Sequence, residues 1–401
     1  MSRKRVAAQQ KGLVGPKGRC DMSRGHIVRR GRASWRIKYD LPNAAPGKRE
    51  TCYLTIRGKR QDAERELARL ITAAHDGILV EPSKTMVADY LRSWLSGLHG
   101  LAGKTRQEYG RLITQLVIPH LGNHELQRLR PAHIADWHAK LLASGGKNGR
   151  PLSARTVGHA HHVLHTALER AVGTELLARN VAHAISPPKV ALTEIAALKA
   201  DEIAPVLAAL KGYKLEGIAV LALSTGARRG EILALRWGDV DLTAGTVRIA
   251  RSLEQTAADG LKFKQPKTAR GVRTISLPAV AVETLQAHRK RQLEQRMMLG
   301  QGKPTTETLV FSTIDGDPIS PNGLSRDWGD FVRAQGLPLV TFHGLRHSHV
   351  SALIASGVDP LTISRRIGHA NVSTTTNVYG HLFKQTDTMA AKAIEAVLKA
   401  Q

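Results

Sequence analysis

The sequence predicts a multidomain chain that is mainly α-helical with small β-sheets. Three observations carry that reading. Helical periodicity fills nearly all of residues 85–185 and much of the chain from about 195, short alternating segments flank the helical block, and two Pro-containing linkers divide the 401 residues. The expected order is a basic arm and a small three-stranded sheet with one helix over residues 1–80, a helical domain over 81–187, and a mixed α/β domain over 188–401.

Roughly the first twenty residues, with Gly12, Gly15, Pro16 and Gly18 among cations, read as a flexible arm. "ASWRIKYDLP" and "KRETCYLTI" alternate apolar and polar residues around the turn-rich "NAAPG", so they are expected to pair as strands. "RQDAERELARLITAAHDG" repeats apolar residues at helical spacing (Ala63, Leu67, Leu70, Ile71, Ala74) and should stop at Gly77. After the linker "EPSK", four stretches have helical patterns: "MVADYLRSWLSGL", "TRQEYGRLITQLVIPHL", "RPAHIADWHAKLLASG" and "SARTVGHAHHVLHTALERAV", the last capped by Ser153. "AISPPKV" is the second linker, since its two prolines forbid a continuing helix. Beyond it the chain is mainly helical, with "TVRIAR" and "VRTISLP" as strands joined by a long basic turn that holds Lys267.

Composition narrows the partners. An apolar fraction of 42% excludes wholesale disorder, and a net charge of +26 makes a compact fold repel itself unless it meets a polyanion. Nucleic acid is therefore the expected ligand. Residues 1–60 hold 17 Lys or Arg against Asp21, Asp40 and Glu50, a surplus of 14, so the N-terminal segment reads as its own DNA-gripping module. Strand residues Arg36 and Lys38 are expected to face the DNA. No apolar run reaches the roughly 18 residues of a membrane span, and no apolar segment follows the basic N-terminus as a secretory signal requires. Cys20 and Cys52 are the only cysteines, which suits a reducing cytosol and inert thiols rather than a disulfide scaffold.

Displacing a phosphodiester without a metal ion needs cations on the non-bridging oxygens, an attacking oxygen, and a proton for the leaving oxygen. "LSTGARRGEILALRW" puts Arg228 at a helix N-terminal turn with Glu231 three positions on. "FHGLRHSH" sets His343 and Arg346 on one face of a helix beginning near Phe342, where imidazole and guanidinium can grip one phosphate. Asp359-Pro360 should cap a further helix that Gly368 ends, leaving His369 at its C-terminal edge. Tyr379 follows a polar run without an apolar repeat, so it is expected to be an accessible phenol rather than a core tyrosine. His343 and His347 have the i, i+4 spacing of zinc ligands, but no Glu lies between them and no third ligand is evident.

Two further motifs do not carry such chemistry. "GLHGLAGKT" imitates a phosphate-binding loop, yet five residues separate Gly97 from Gly103 and a helical segment precedes it, so Lys104, Thr105 and Arg106 read as DNA-backbone contacts. "HAHHVLH" reads as one polar helix face touching DNA, with no acid or Cys cluster to complete a metal site around His161 and His165. Basic helix starts suit a clamp on the phosphate backbone, and Arg155, Thr156 and His159 occupy one such start.

The combination resembles the tyrosine recombinase family, in particular its phage-type, integrative-element integrases. The resemblance rests on "TGARRGEILALRWGDVDL", "PKTARGVRTISLP" and "HGLRHSHVSALIASGVDPLTISRRIGHANVSTTTNVYGHL", in that order. It implies an arm-binding-like N-terminal domain, a helical core-DNA-binding domain and a catalytic domain of the tyrosine recombinase type. By that resemblance Arg228, Lys267, His343, Arg346, His369 and Tyr379 occupy the six catalytic positions, and Glu231 the acidic position that supports the first arginine. Ile367 stands where the family usually has Leu, which keeps apolar bulk. The implied reaction is attack by Tyr379 to give a 3′-phosphotyrosyl link, with Arg228 and Arg346 on the non-bridging oxygens, Lys267 as acid, His343 as base or positioner, and His369 as donor to the phosphate.

The resemblance also implies no metal, ATP or other cofactor. The implied partners are double-stranded attachment-site DNA, a homotetramer in the synaptic complex and possible DNA-bending or directionality proteins, in a bacterial cytoplasm at the nucleoid. A C-terminal tail with Met389, Ala393, Ile394, Val397 and Leu398 on one helical face is expected to dock on its own domain or a neighbour. A relaxation enzyme like the type IB topoisomerases and a non-catalytic DNA-binding regulator are the alternatives.

Overall fold

The computed structural model describes residues 25–40, 51–75, 80–191, 196–265, 271–369, 371–380, 382 and 386–399. The N-terminal arm, Cys20, the "NAAPG" turn, Gly77 and Lys267 lie outside them. The chain divides into two compact units, one of residues 1–99 and 109–190, the other of 100–108 and 191–401. Among the described residues no helix is long and apolar enough to cross a membrane.

The first unit begins with β1 (His26–Gly31), β2 (Ser34–Asp40) and β3 (Thr51–Arg57), an antiparallel sheet in the order β1-β2-β3, followed by α1 (Arg60–His75). The period of two along β2 decides its faces: Ile37 and Tyr39 are buried in a small core with Ala63, Leu67 and Leu70 of α1. Arg36 and Lys38 consequently alternate onto the opposite face, where Arg36 sits 5.7 Å from the Tyr53 ring centroid. The half-buried Cys52 thiol lies beside the Tyr39 hydroxyl.

The helical block contains α2 (Val87–Ser96), α3 (Gly103–Leu112), α4 (Ile118–Leu121), α5 (Pro131–Ser144) and α6 (Ala154–Gly173). A π-helical stretch, Ile113–Val117, joins α3 to α4. Pro119 explains it, since a proline has no N–H to continue the regular ladder, and the Trp137 indole donates to the Leu116 carbonyl at 2.7 Å. Ser153 caps α6 by accepting from the Thr156 N–H. Buried Leu91, Trp137, Leu141, Leu164 and Leu168 centre this core.

Two readings of α6 change. His161 is a core residue, 5% exposed, with Nδ1 3.2 Å from Nε2 of buried His138, so "HAHHVLH" is not one polar face. An acid does join His165: His183 Nε2 lies 3.1 Å from Glu169, and His183 Nδ1 lies 3.2 Å from His165 Nε2. Asn180 also donates to Glu169. One set of neutral tautomers satisfies all these contacts, and the ligand atoms of His165, Glu169 and His183 all lie within 4.8 Å of one another, so an acid does complete a cluster of metal-ligand type here.

The second unit opens with α7 (Ala200–Leu210), α8 (Glu216–Thr225) and α9 (Arg229–Leu233), then β4 (Val240–Asp241), β5 (Thr246–Ile249), β6 (Ser252–Thr256), β7 (Gly260–Lys264) and β8 (Arg273–Ser276). The helices α10 (Ala279–Met298), α11 (Pro321–Ala334), α12 (Phe342–Ala355), α13 (Pro360–Ile367), α14 (Val372–Tyr379) and α15 (Thr386–Lys399) complete it. Strands β4, β5 and β8 form one antiparallel sheet, so "TVRIAR" and "VRTISLP" do pair. The stretch between them is more than a long turn, because β6 and β7 make a second hairpin there, with Leu253 facing Phe263. α8 is apolar all round and runs through the core beside Trp237, Phe311, Trp328 and Phe342.

Candidate active site

The end of α8 sets the first part of the site. Thr225 is the last helical residue and Gly226 adopts φ +63°, a left-handed turn that a side chain would obstruct: a Cβ there would stand 2.6 Å from His349 Cδ2. The reversal points the Gly226 carbonyl at Arg346, whose Nη1 donates to it at 2.6 Å. It also makes Arg228 the N-cap residue of α9, as its sequence position predicts. Glu231 accepts from the Arg228 backbone N–H at 2.8 Å and from its Nη1 at 2.9 Å, while Arg228 Nη2 donates to the Gly368 carbonyl at 3.2 Å. Arg228 remains 45% exposed and can meet a ligand.

Glu231 has a second partner that sequence reasoning missed. Arg273, on β8, donates Nη2 to Glu231 at 2.8 Å and Nε to the Arg366 carbonyl at 2.8 Å, with its side chain only 7% exposed. It therefore ties α9 to α13 through the sheet. Burial alone would raise the Glu231 carboxyl, but the Arg273 contact and then Arg228 hold it below the usual glutamate value. Arg366 makes a second tie, donating to His349 Nε2, the Ser224 carbonyl and the Ser276 carbonyl. No period or spacing marks either arginine as internal; their partners lie many positions away.

α12 supplies the next part. Thr341 caps it by accepting from the Gly344 N–H, which orients the first turn carrying His343. Arg346 is 4% exposed and its Nη2 is buried without a hydrogen-bond partner. Burial, and next the Arg228 charge, lowers this guanidinium to about 10. A buried unsatisfied cationic donor is costly, so it marks the place where an anionic oxygen is accommodated. His343 lies at the solvent edge of the same helix; partial desolvation, then Arg346, Arg228 and Arg229, lowers its pKa.

α13 starts at the predicted cap, with Asp359 accepting from the Leu361 and Thr362 N–H groups, and ends at Gly368 with φ +69°. The turn delivers His369, whose Nδ1 lies 2.9 Å from the Thr375 hydroxyl. Burial, followed by Arg346, Arg228 and Arg273, drives its pKa down to about 4.

Tyr379 ends α14 and departs from expectation. It is 2% exposed and packs with Val350, Ile363 and Ile367, so it is a core tyrosine here and not an accessible phenol. Its apolar neighbours come from α12 and α13, which the polar run preceding it in sequence could not reveal. Burial raises its pKa to about 12, with Arg346 pulling the other way. The hydroxyl lies 2.5 Å from Nδ1 of His347, the neighbour of Arg346, rather than on His343. Five of the six expected residues, Arg228, His343, Arg346, His369 and Tyr379, thus lie on elements that these contacts bind into one cluster; Lys267 falls in the segment between β7 and β8 outside the described residues.

Beside the cluster is a cleft of about 420 Å³ whose walls include Arg228, Arg229, Ser252, Gln255, Asn322 and His343. Arg229 donates to Ser325 within it. Of the expected DNA-contact residues, Lys104 also lines this cleft; it and Arg106 are exposed and Thr105 is half-buried on α3. Arg155 and His159 are exposed on the first turns of α6, where the Thr156 hydroxyl instead pairs with Ser153.

Comparison with known proteins places this geometry in a family. The model of the phage integrase family matches residues 196–386, and that of the phage integrase N-terminal SAM-like domain matches residues 87–142. A XerC-like tyrosine recombinase of Caldanaerobacter subterraneus subsp. tengcongensis is 27% identical over 391 residues, covering 92% of this chain and 97% of its own. Among solved structures, the Tn1549 transposon integrase in complex with transposon right end DNA aligns with TM-score 0.67 at 19% identity, covering 77% of this chain and 99% of that one. A lambda integrase tetramer bound to a Holliday junction aligns with TM-score 0.53 at 18% identity, covering 87% and 94%. The chain belongs to the phage integrase family of tyrosine recombinases, enzymes that cut and rejoin DNA.

Proposed function

We propose that this recombinase integrates or excises a mobile element at specific DNA sites, using Arg228, Lys267, His343, Arg346, His369 and Tyr379 as its catalytic set. The observation that carries the reading is the buried, unpartnered Arg346 Nη2 beside the Tyr379 phenol and the exposed Arg228. A scissile phosphate would satisfy it, and two guanidiniums on the non-bridging oxygens would stabilise charge as the phosphorus becomes five-coordinate. Tyr379 attacks, forming a 3′-phosphotyrosyl bond, and Lys267 protonates the departing 5′ oxygen. His369 donates to the phosphate, and the 5′-hydroxyl of another strand reverses the chemistry. The covalent link retains the energy of the broken bond, so the scheme requires neither ATP nor metal.

Because Tyr379 is buried, a shift of α14 on DNA binding that opens its hydroxyl to the phosphate, while keeping it against His347, is part of this scheme. The three-domain division at 80/81 and 187/188, the DNA contacts on α3, α6 and β2, and a tetramer on two duplexes belong to the same proposal. Exposed Ile394, Val397 and Leu398 on α15 fit docking on a neighbouring subunit, and removal of the tail should weaken assembly. The test is a plasmid carrying both junctions between the encoding element and its host chromosome. Recombinant product that disappears in Tyr379→Phe is expected; product persisting in that variant, or relaxation of plasmids lacking the junctions, would contradict it.

A further inference from the structure

We propose that His347 takes the proton of the Tyr379 hydroxyl during strand cleavage and returns it on rejoining. The contact is direct, 2.5 Å from the phenolic oxygen to His347 Nδ1. His343, one turn earlier on α12, has no hydrogen-bond partner among the described residues and stacks edge-on against His347 with ring centroids 4.9 Å apart. Tyr379 is enclosed by Val350, Ile363 and Ile367, so bulk water is a poor recipient for its proton. A protein group in contact with the oxygen is the available one.

The charges facing this pair come from every helix packed on it: His343 and Arg346 on α12, His369 after α13, and Tyr379 itself on α14. Burial, then His343 and Arg346, brings the His347 ring down to about 4, so in the free enzyme it is neutral and able to accept. The phenol, raised to about 12, keeps its proton. A phosphodiester settling on Arg346 adds negative charge beside both groups. As charge accumulates on the five-coordinate phosphorus the imidazole becomes a stronger acceptor, so the nucleophile is activated when a phosphate is in place.

The step balances. The proton moves from Tyr379 Oη to His347 Nδ1 as the Oη–P bond forms and the bond from phosphorus to the 5′ oxygen breaks, that oxygen receiving the Lys267 proton. In rejoining the 5′-hydroxyl gives its proton to Lys267 and attacks phosphorus, and the Tyr379 oxygen leaves with the proton held on His347. The inference rests on Tyr379 being the nucleophile.

The test uses the full-length chain and nicked duplexes spanning the element–chromosome junctions, with adduct formation followed in single turnover against pH. His347→Asn keeps an acceptor near the Nδ1 position but cannot hold a proton. It should bind the duplex as wild type does, form adduct about 100-fold more slowly at neutral pH, and speed up with hydroxide where wild type levels off. His347→Ala should recover part of its rate with added imidazole. A wild-type rate in His347→Asn, or an unchanged pH profile with no imidazole response in His347→Ala, would overturn the proposal.

Should the variants fail to fold, wild type decides on a duplex whose 5′ bridging oxygen is sulfur, which leaves without a proton. Slower cleavage in heavy water is expected, and no slowing counts against His347. An adduct surviving in Tyr379→Phe would instead show that the nucleophile is misassigned.

Discussion

Removing Arg273 should damage the enzyme without touching any atom that meets DNA in the proposed scheme. Its guanidinium and the Glu231 carboxylate are 7% and 9% exposed, and Arg273→Ala would leave that carboxylate with Arg228 alone. Breaking one partner out of a buried pair costs about 3–5 kcal/mol. The lost bond to the Arg366 carbonyl adds about 1 kcal/mol, offset in part where water enters. A net loss of about 4 kcal/mol is a large part of the roughly 5–15 kcal/mol that holds a domain together. With a urea slope of about 2 kcal/mol per molar, the midpoint of the unit containing the site should fall by about 2 M. A cycle with Glu231→Gln and Arg273→Met separates the pair from its surroundings: the double variant should lose far less than the sum of the single variants, since it strands no buried charge. A midpoint shift equivalent to less than about 1 kcal/mol, or strict additivity, would refute the assignment of Arg273 as the clamp between α9 and α13.

Other outcomes follow from the same geometry. Gly226→Ala should cost about 2 kcal/mol or more, from a left-handed backbone and a Cβ 2.6 Å from His349, and chemical denaturation reads it directly. Arg346→Lys should leave duplex affinity within a few-fold while slowing adduct formation by about 100-fold or more, because an ammonium cannot hold both the Gly226 carbonyl and a phosphate oxygen as a planar fork does. Stability should also fall in acid. His161 titrates near 4 in the fold against 6.5 as the ordinary value, lowered by burial and then by His138, so the unfolded chain binds the proton first. That stability is fully present above about 6.5 and is lost as pH falls toward 4. At pH 5 the cost is about 2 kcal/mol, and denaturation of His161→Gln should show a flatter acid limb.

Much of the site was legible because its turns are local. Asp359 before Pro360, Gly368 at a helix end and Arg228 at a helix start act through residues two to four positions away, and such rules read directly from sequence. What was hidden depends on distant partners. Arg273 looks like one more cation on a basic strand until the fold brings Glu231 from 42 positions away. The β6–β7 hairpin was concealed by its charges, which are tolerated because Lys262 is exposed and half-buried Lys264 pairs with Glu254 on β6. His161 seemed polar because its neighbours in sequence are histidines, yet its environment is set by His138 on α5. Tyr379 and His347 meet across 32 positions, and no spacing within either motif signals that contact.

The chemical identity of the protein–DNA bond tests the reaction assigned to this cluster most directly. A nicked junction duplex labelled on the cleaved strand, trapped with wild-type protein and digested, should yield one labelled peptide with the phosphate on Tyr379 and joined to the 3′ end of the DNA, leaving a free 5′-hydroxyl. Label on another side chain, or a phosphate joined to the 5′ end, would contradict the reaction assigned to this cluster.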